Sequence, residues 1–215
     1  MPYRLYKTRE TKPSVRNNDV LLITGDGKNL VEDLETFNKF GVEHDKLCIG
    51  RSIAVVDQPI IHYVDVDSDA GKWVCENLSM QYPGKVNGKL IRHTMGAEED
   101  APWFDNTWDL KGSNIPAEEA MWYGSSAFFA VLIGIEMGYK RIVLAGCPLD
   151  SKGHWYFKNE TYGPKWTGPD YQVWFEFAAG CRAYIVRSLS GYTRILLNEP
   201  DRSWLNGITK RPFTV

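Results

Sequence analysis

The residues best suited to chemistry in this sequence lie directly beside short apolar runs. Gly25, Gly27 and Asn29 follow the apolar run of residues 19–24. Glycines let a backbone approach a phosphate closely, and a helix that begins after such a turn presents a partly positive N-terminus to it. Leu30 replaces the third glycine of the dinucleotide fingerprint, and no Walker lysine pattern follows. The segment predicts either a contact to a nucleotide phosphate or ribose, or a plain tight turn.

Two carboxylates, Asp65 and Asp67, end a second apolar run. Alternate residues of a strand share a face, so both can point to one strand end. Such a pair could hold magnesium against a diphosphate, Asp67 alone could contact ribose or substrate, or Asp67 and Asp69 could cap a helix. About three such pairs are expected by chance at this acidic content, so spacing alone does not decide. We expect no firmly bound metal, and Asp65 and Asp67 as the ligands if magnesium binds.

Ser125 and Ser126 open the longest apolar segment, residues 125–137. Backbone N–H groups and two hydroxyls converge at such a position, which is typical of a ligand contact or of an ordinary serine N-cap. The Gly-x-Ser-x-Gly pattern is absent and no histidine is close in sequence, so a serine nucleophile is not indicated.

Residues 150–177 contain nine aromatic side chains within 28 residues. Aromatic faces stack on sugars and bases, and they also form subunit interfaces, so this stretch is a candidate ligand surface or homo-oligomer contact. Within it, His154 is a candidate general base, because imidazole titrates near neutrality, or else a solvent-facing loop histidine. Tyr156 and Tyr162 are the alternative polar partners, which could donate to a leaving phosphate.

An alternation of strands and helices is predicted to position these segments. Such an alternation favours a mostly parallel sheet with helices on both faces, in which ligands bind at the carboxyl ends of strands near a switch in strand order. A basic arm at residues 1–18, solvated or in contact with a phosphate or a neighbouring subunit, precedes a single domain at 19–215 with two long lid loops at about 96–123 and 150–170. Strands are predicted at 19–24, 47–50, 59–67, 89–93, 141–146 and 193–198, and helices at 30–40, 71–82, 125–137 and 171–189.

Composition narrows the class of protein. The chain has 215 residues, 43% hydrophobic and 24% charged, which excludes a disordered chain and suits one domain with a sizeable core. The net charge of −2 gives no argument for nucleic acid, and no apolar run is long enough for a transmembrane helix. The four cysteines form no C-x-x-C pair, which favours buried thiols in a cytoplasmic protein. They are Cys48, Cys75, Cys147 and Cys181.

Four segments together resemble a superfamily of Rossmann-like transferases. The segment LLITGDGKN at 21–29 resembles its opening strand and Gly-Asn-Gly-Pro-Ser turn, and segments 48–52 and 62–67 resemble its next two strands. The strongest match is GSSAFFAVLIGIEMGYKRIVLAGCPLD at 124–150. This block resembles the bacterial single-domain sialyltransferases, which use CMP-sialic acid without a metal. It also resembles the 6-hydroxymethylpterin diphosphokinase-like domain, which uses ATP and magnesium.

The resemblance implies a three-layer Rossmann-like fold and a set of ligand contacts. It assigns Gly25, Gly27 and Asn29 to the nucleotide turn, and it assigns the other contacts to Ser52, Asp67, Ser125, Ser126 and Asp150. Asp26 departs from the pattern, and its charge could repel a phosphate. The implied function is transfer of a glycosyl group from a nucleotide-activated sugar. The alternatives are magnesium- and ATP-dependent diphosphoryl transfer, and a non-catalytic binding or assembly protein that retains the fold.

Overall fold

An eight-stranded sheet forms the centre of the molecule. The computed structural model describes residues 4–66, 68–81, 84, 89–95, 102–111, 125–156, 168–180 and 183–207. The strands are Arg4–Glu10 (β1), Val20–Thr24 (β2), Asp45–Ile49 (β3), His62–Val64 (β4), Ile91–Met95 (β5), Asn106–Lys111 (β6), Arg141–Ala145 (β7) and Val186–Ser188 (β8). Their order is β1-β6-β5-β4-β3-β2-β7-β8, with only β1 antiparallel to its neighbour. The predicted α/β class with a mostly parallel sheet is confirmed.

Helices pack against both faces of the sheet. They are Leu30–Asn38 (α1), Ser68–Gln81 (α2), Ser125–Glu136 (α3), Gly168–Ala178 (α4), Gly191–Leu197 (α5) and Arg202–Leu205 (α6). In β2, Leu21 and Ile23 join the apolar cluster of α3 and α4, whereas Val20 and Leu22 join that of α1 and α6. Every side chain of β2 is therefore buried, which explains its continuous apolar sequence.

Helix α3 lies across the sheet beside β2 and β7. A Cβ atom at Gly134 would lie 2.8 Å from Leu21 Cδ2 and 2.9 Å from Ile142 Cδ1, so glycine allows the helix to approach both strands. The helix has 12 residues and is apolar on nearly all sides because it is covered by protein. Across the described ranges, no helix is long and apolar enough to cross a membrane.

Part of the predicted basic arm is built into the sheet. Strand β1 pairs with β6, and three basic side chains in or after β1 are engaged within the chain. Arg9 donates to the Phe104 carbonyl, Lys12 donates to the Leu90 carbonyl at 3.1 Å, and Arg16 donates to the Gly138 carbonyl. These contacts hold the segment against the rest of the chain, and Arg16 is also exposed to solvent.

The predictions for the last third of the chain were partly wrong. The strand predicted at 193–198 is helix α5, which buries Thr193 and Leu197 one turn apart and leaves Ile195 74% exposed. The helix predicted to continue to 189 ends at Ala178, and strand β8 follows. The loop predicted at 96–123 contains β6, held by its pairing with β1 and β5. Residues 157–167 of the other predicted loop lie outside the described ranges.

Candidate functional site

A cavity of about 180 Å³ opens at the carboxyl ends of β2 and β7. These two strands are neighbours, but the chain leaves β2 toward β3 on one side and leaves β7 toward β8 on the other. Ligands of open parallel sheets bind at this reversal of strand order. Six residues predicted as candidate site residues line the cavity: Gly25, Gly27, Ser125, Ser126, Asp150 and His154.

Gly25 and Gly27 are explained by close packing of the chain on itself. A Cβ atom at Gly25 would lie 2.6 Å from Cys147 Sγ, and one at Gly27 would lie 2.5 Å from Pro148 Cδ. Their N–H groups donate to the carbonyls of Ala145 (2.9 Å) and Gly146 (2.8 Å). These N–H groups are thus used within the protein, which gives the glycines a reason other than the predicted approach to a phosphate.

Asp26, between these glycines, is the titratable group that the sequence analysis did not assign to the site. Its Oδ2 accepts from the Arg51 N–H at 2.9 Å, and its Oδ1 accepts from Trp155 Nε1 at 3.4 Å. Desolvation raises the pKa of its carboxyl to about 6, although both hydrogen bonds and the Arg51 charge oppose the rise. A carboxyl that titrates near neutrality can act as an acid or a base. The signal in the sequence was an acid directly after a buried strand.

His154 is brought to the cavity by backbone pairing with the glycine turn. Gly27 and His154 form an antiparallel bridge, and the Lys28 N–H donates to the Gly153 carbonyl at 3.1 Å. The His154 ring stacks on Tyr156 with ring centres 5.2 Å apart. Desolvation lowers the pKa of the imidazole, while a hydrogen bond with the Asp26 backbone opposes this. The neutral imidazole is the form that can accept a proton.

Backbone strain is concentrated at the cavity. Ser125 has φ +72° and Leu149 has φ +51°, and both residues line it. Residues other than glycine rarely adopt this left-handed backbone conformation. They keep it only where the surrounding structure fixes them. Ser125 and Ser126 are half-buried at the first turn of α3. Asp150 Oδ1 accepts from the Lys152 N–H at 3.1 Å in a local turn.

A buried carboxylate holds the far wall of the cavity. Asp33 of α1 accepts from the Gly146 N–H at 2.7 Å and from Ser190 Oγ at 2.6 Å. On the other side of this segment, Thr193 Oγ1 donates to the Cys147 carbonyl at 2.7 Å. Asp33 and Thr193 therefore fix the segment after β7, a role that requires the folded chain and carries no local sequence signal.

The cysteine at this wall is not an activated nucleophile. Cys147 is buried, and desolvation raises the pKa of its thiol far above neutrality. A protonated, buried thiol is unreactive. Cys48 and Cys75 are also buried thiols, as predicted, and Cys181 lies outside the described ranges.

Of the remaining predicted site residues, those that the structure describes do not line the cavity. The Ser52 hydroxyl is buried within hydrogen-bond distance of the Thr24 and Ile49 backbone, and Asn29 precedes α1, where its carbonyl accepts from the Asp33 N–H. Asp65 is 9% exposed and accepts from the Tyr63 hydroxyl at 3.2 Å. Asp67 and Tyr162 lie outside the described ranges.

The part of the chain that the structure describes contains no group of three His, Cys, Asp or Glu side chains that could hold a metal ion. A scan against protein-family models and searches of curated proteins and of solved structures found no match to this chain.

Proposed function

We propose that this protein is a nucleotide-dependent transferase with a Rossmann-like fold, which transfers a glycosyl group from a nucleotide-activated sugar. The observation that supports this best is that Asp26 and His154 both line one small cavity, at the reversal of strand order. Two titratable groups with shifted pKa values in a cleft are typical of acid–base chemistry.

The proposed reaction needs one proton acceptor and one stabilised leaving group. The acceptor hydroxyl oxygen attacks the anomeric carbon, and the bond from that carbon to the phosphate oxygen breaks. The phosphate leaves with the electron pair, and the proton of the hydroxyl passes to His154 or Asp26. The hydroxyls of Ser125 and Ser126, which line the cavity at the partly positive end of α3, would stabilise charge on the departing oxygen.

The size and charge of the cavity suit a sugar better than a whole donor. Its volume of about 180 Å³ lies below the roughly 300–1,000 Å³ of common ligand pockets, so it can hold one ring. Carboxylates such as Asp26 and Asp150 accept hydrogen bonds from sugar hydroxyls. The nucleotide part of the donor would lie outside the cavity, toward the loop proposed as a lid at about 150–170.

A thermal-shift panel of CMP, UDP, GDP and ATP, each with and without magnesium, tests this function. A ligand that binds only the native state adds about 2.7 kcal/mol at a hundredfold excess over its Kd, and the Tm rises accordingly. We expect one nucleotide to stabilise the protein without magnesium, and its sugar derivative to be hydrolysed slowly. A shift only with ATP and magnesium would favour diphosphoryl transfer, and no shift at millimolar ligand would favour a binding or assembly protein.

A further inference from the structure

Arg51 is held between two aromatic rings beside the candidate site. It lies in the 3₁₀ turn Gly50–Ala54 that follows β3. Its guanidinium carbon is 4.5 Å from the centre of the Tyr156 ring and 5.4 Å from the centre of the Trp73 ring. We call Arg51, Trp73 and Tyr156 the Arg51 clamp. Trp73 is 54% exposed, so the clamp lies at the surface, where a ligand can reach it.

The Arg51 guanidinium differs from those of two other arginines that lie over aromatic rings. Arg92 lies over Trp103 and forms an ion pair with Asp105 at 2.9 Å. Arg187 lies over Trp204 and donates to two backbone carbonyls. Among the described residues, no carboxylate or carbonyl accepts a hydrogen bond from the Arg51 guanidinium. Its donors are oriented by the two rings and remain available for an acceptor from outside.

The clamp is coupled to the acid–base residues of the cavity. The Arg51 backbone N–H donates to Asp26 Oδ2, and Tyr156 contacts both the guanidinium and the His154 ring. The Arg51 charge acts on both groups. It offsets part of the rise that desolvation causes in the pKa of Asp26, and it adds to the lowering that desolvation causes in the pKa of His154. A ligand group bound at Arg51 would therefore lie next to the residues proposed to move the proton.

We propose that the Arg51 clamp binds the phosphate of the nucleotide donor, at the mouth of the cavity. This rests on the proposed function for the identity of the ligand, but the clamp's affinity for phosphate does not depend on catalysis. A guanidinium presents a planar set of N–H donors that matches two phosphate oxygens at once. The two rings fix the side chain beforehand, which reduces the entropy lost on binding. The glycine turn, whose N–H groups are used internally, does not take this role.

Binding of inorganic phosphate, measured by isothermal titration calorimetry, tests the clamp without any assumption about the donor. Arg51→Met removes the charge and keeps a long apolar side chain, and Arg51→Lys keeps the charge but loses the planar donors. We expect Kd to rise at least about tenfold in Arg51→Met and less in Arg51→Lys. Lys152→Gln is the matched control, because this exposed lysine near the cavity carries the same charge, and its Kd should stay within about twofold of wild type.

Binding of the nucleotide, compared with binding of the nucleoside that lacks its phosphate, tests the clamp separately from the proposed function. Arg51→Met should weaken binding of the nucleotide that stabilises the wild type and should leave binding of the matching nucleoside unchanged. Phosphate binding that is absent in the wild type, equal in wild type and Arg51→Met, or weakened equally by Lys152→Gln would overturn the clamp. If phosphate binding depends on Arg51 while no nucleotide sugar is turned over, the clamp stands and the glycosyltransferase proposal fails. If a nucleotide sugar is turned over while phosphate binding does not depend on Arg51, the clamp fails and the glycosyltransferase proposal stands.

Discussion

The buried pair His62 and His93 differs from His154 in access to a cavity and in neighbouring groups. His62 and His93 are buried in neighbouring strands of the sheet, with His62 Nδ1 and His93 Nε2 3.1 Å apart. Trp108 Nε1 donates to His93 Nδ1 at 3.2 Å. Because tryptophan is only a donor, His93 must carry its proton on Nε2 and donate to His62, whose Nε2 then donates to the Val15 carbonyl at 2.8 Å. Every ring nitrogen is satisfied with both rings neutral.

His154 has a lowered pKa as well, so the direction of a pKa shift does not separate the two environments. The difference lies in access and in neighbours. The buried chain from Trp108 to Val15 is closed, and it ties three strands to the N-terminal segment. His154 borders a cavity, beside a carboxyl with a raised pKa. A closed hydrogen-bonded chain stabilises the fold, whereas a histidine that lines a cavity can meet a reacting group.

Replacement of the cavity histidine should have the largest effect. His154→Gln should lower turnover of the donor found in the nucleotide panel by about 10²–10⁴-fold, because the proton acceptor is lost. Nucleotide-induced stabilisation should be unchanged. The control is His44→Gln, at a half-buried histidine whose Nδ1–H donates to the Val42 carbonyl and which does not line the cavity. Turnover within a factor of a few of wild type would exclude His154 as the base.

Acid should lower the free energy of unfolding, because the buried histidines are neutral in the folded protein. The pKa of His62 is lowered to about 4 and that of His93 lies well below its usual value, both by desolvation. The unfolded chain takes up these protons near pH 6.5, so stability is present above that pH and is lost as the pH falls toward 4. For His62 alone the loss is about 3 kcal/mol.

Urea unfolding at pH 7 and pH 4.5 measures this loss. In the double variant His62→Gln and His93→Gln, the amides can pass on the hydrogen bonds but do not titrate. We expect a flatter pH dependence for this variant, and a pH dependence parallel to that of the wild type would show that other groups cause the acid loss.

Removal of the donor that orients the chain should have a smaller effect. Trp108→Phe leaves His93 Nδ1 buried without its partner, at a cost of about 1–3 kcal/mol in the free energy of unfolding. Denaturant unfolding at pH 7 measures this. The comparison is Trp73→Phe, on an exposed side chain, which should change stability by about 0.5 kcal/mol or less. Equal losses in both variants would argue that ring size, and not the hydrogen bond, matters at position 108.

The smallest effect should have the opposite pH dependence. Asp26 has a folded pKa of about 6 against 3.8 for the free side chain, so its contribution to stability is present below pH 3.8 and lost as the pH rises through 6. Asp26→Asn should therefore gain stability over wild type between pH 4 and pH 8, by about 1 kcal/mol after allowance for partial exposure. Thermal unfolding across this range measures the gain. A constant difference at all pH values would mean that Asp26 stays ionised.

The elements around the cavity were predictable because their signals are local. The strand at β2, the apolar helix α3 and the strand at β7 are short runs with clear ends. The rule that parallel strands present their carboxyl ends together then grouped Gly25 and His154, whereas Ser125 was a candidate because it begins an apolar helix.

The remaining features depend on distant pairing. Strand β8 has three residues and exists through its pairing with β7. The run Ile195 to Leu197 has the composition of a strand, but as helix α5 it buries only one side. The raised pKa of Asp26 comes from desolvation in the folded chain, and the contacts that oppose the rise come from Arg51 and Trp155, which are far from it in sequence. A single sequence does not show which of its acids becomes enclosed.

The two edge strands of the sheet, β1 and β8, bear on the tendency of this protein to aggregate at high concentration. Strand β1 forms one edge, and its residues Lys7, Arg9 and Glu10 are charged, with an irregular register between Lys7 and Arg9. The other edge, β8, is only three residues long. Charged, irregular or very short edges resist the addition of a foreign strand, which is the first step of fibrillar aggregation. Loss of β1 would instead expose the six residues of β6, a longer row of unpaired backbone groups.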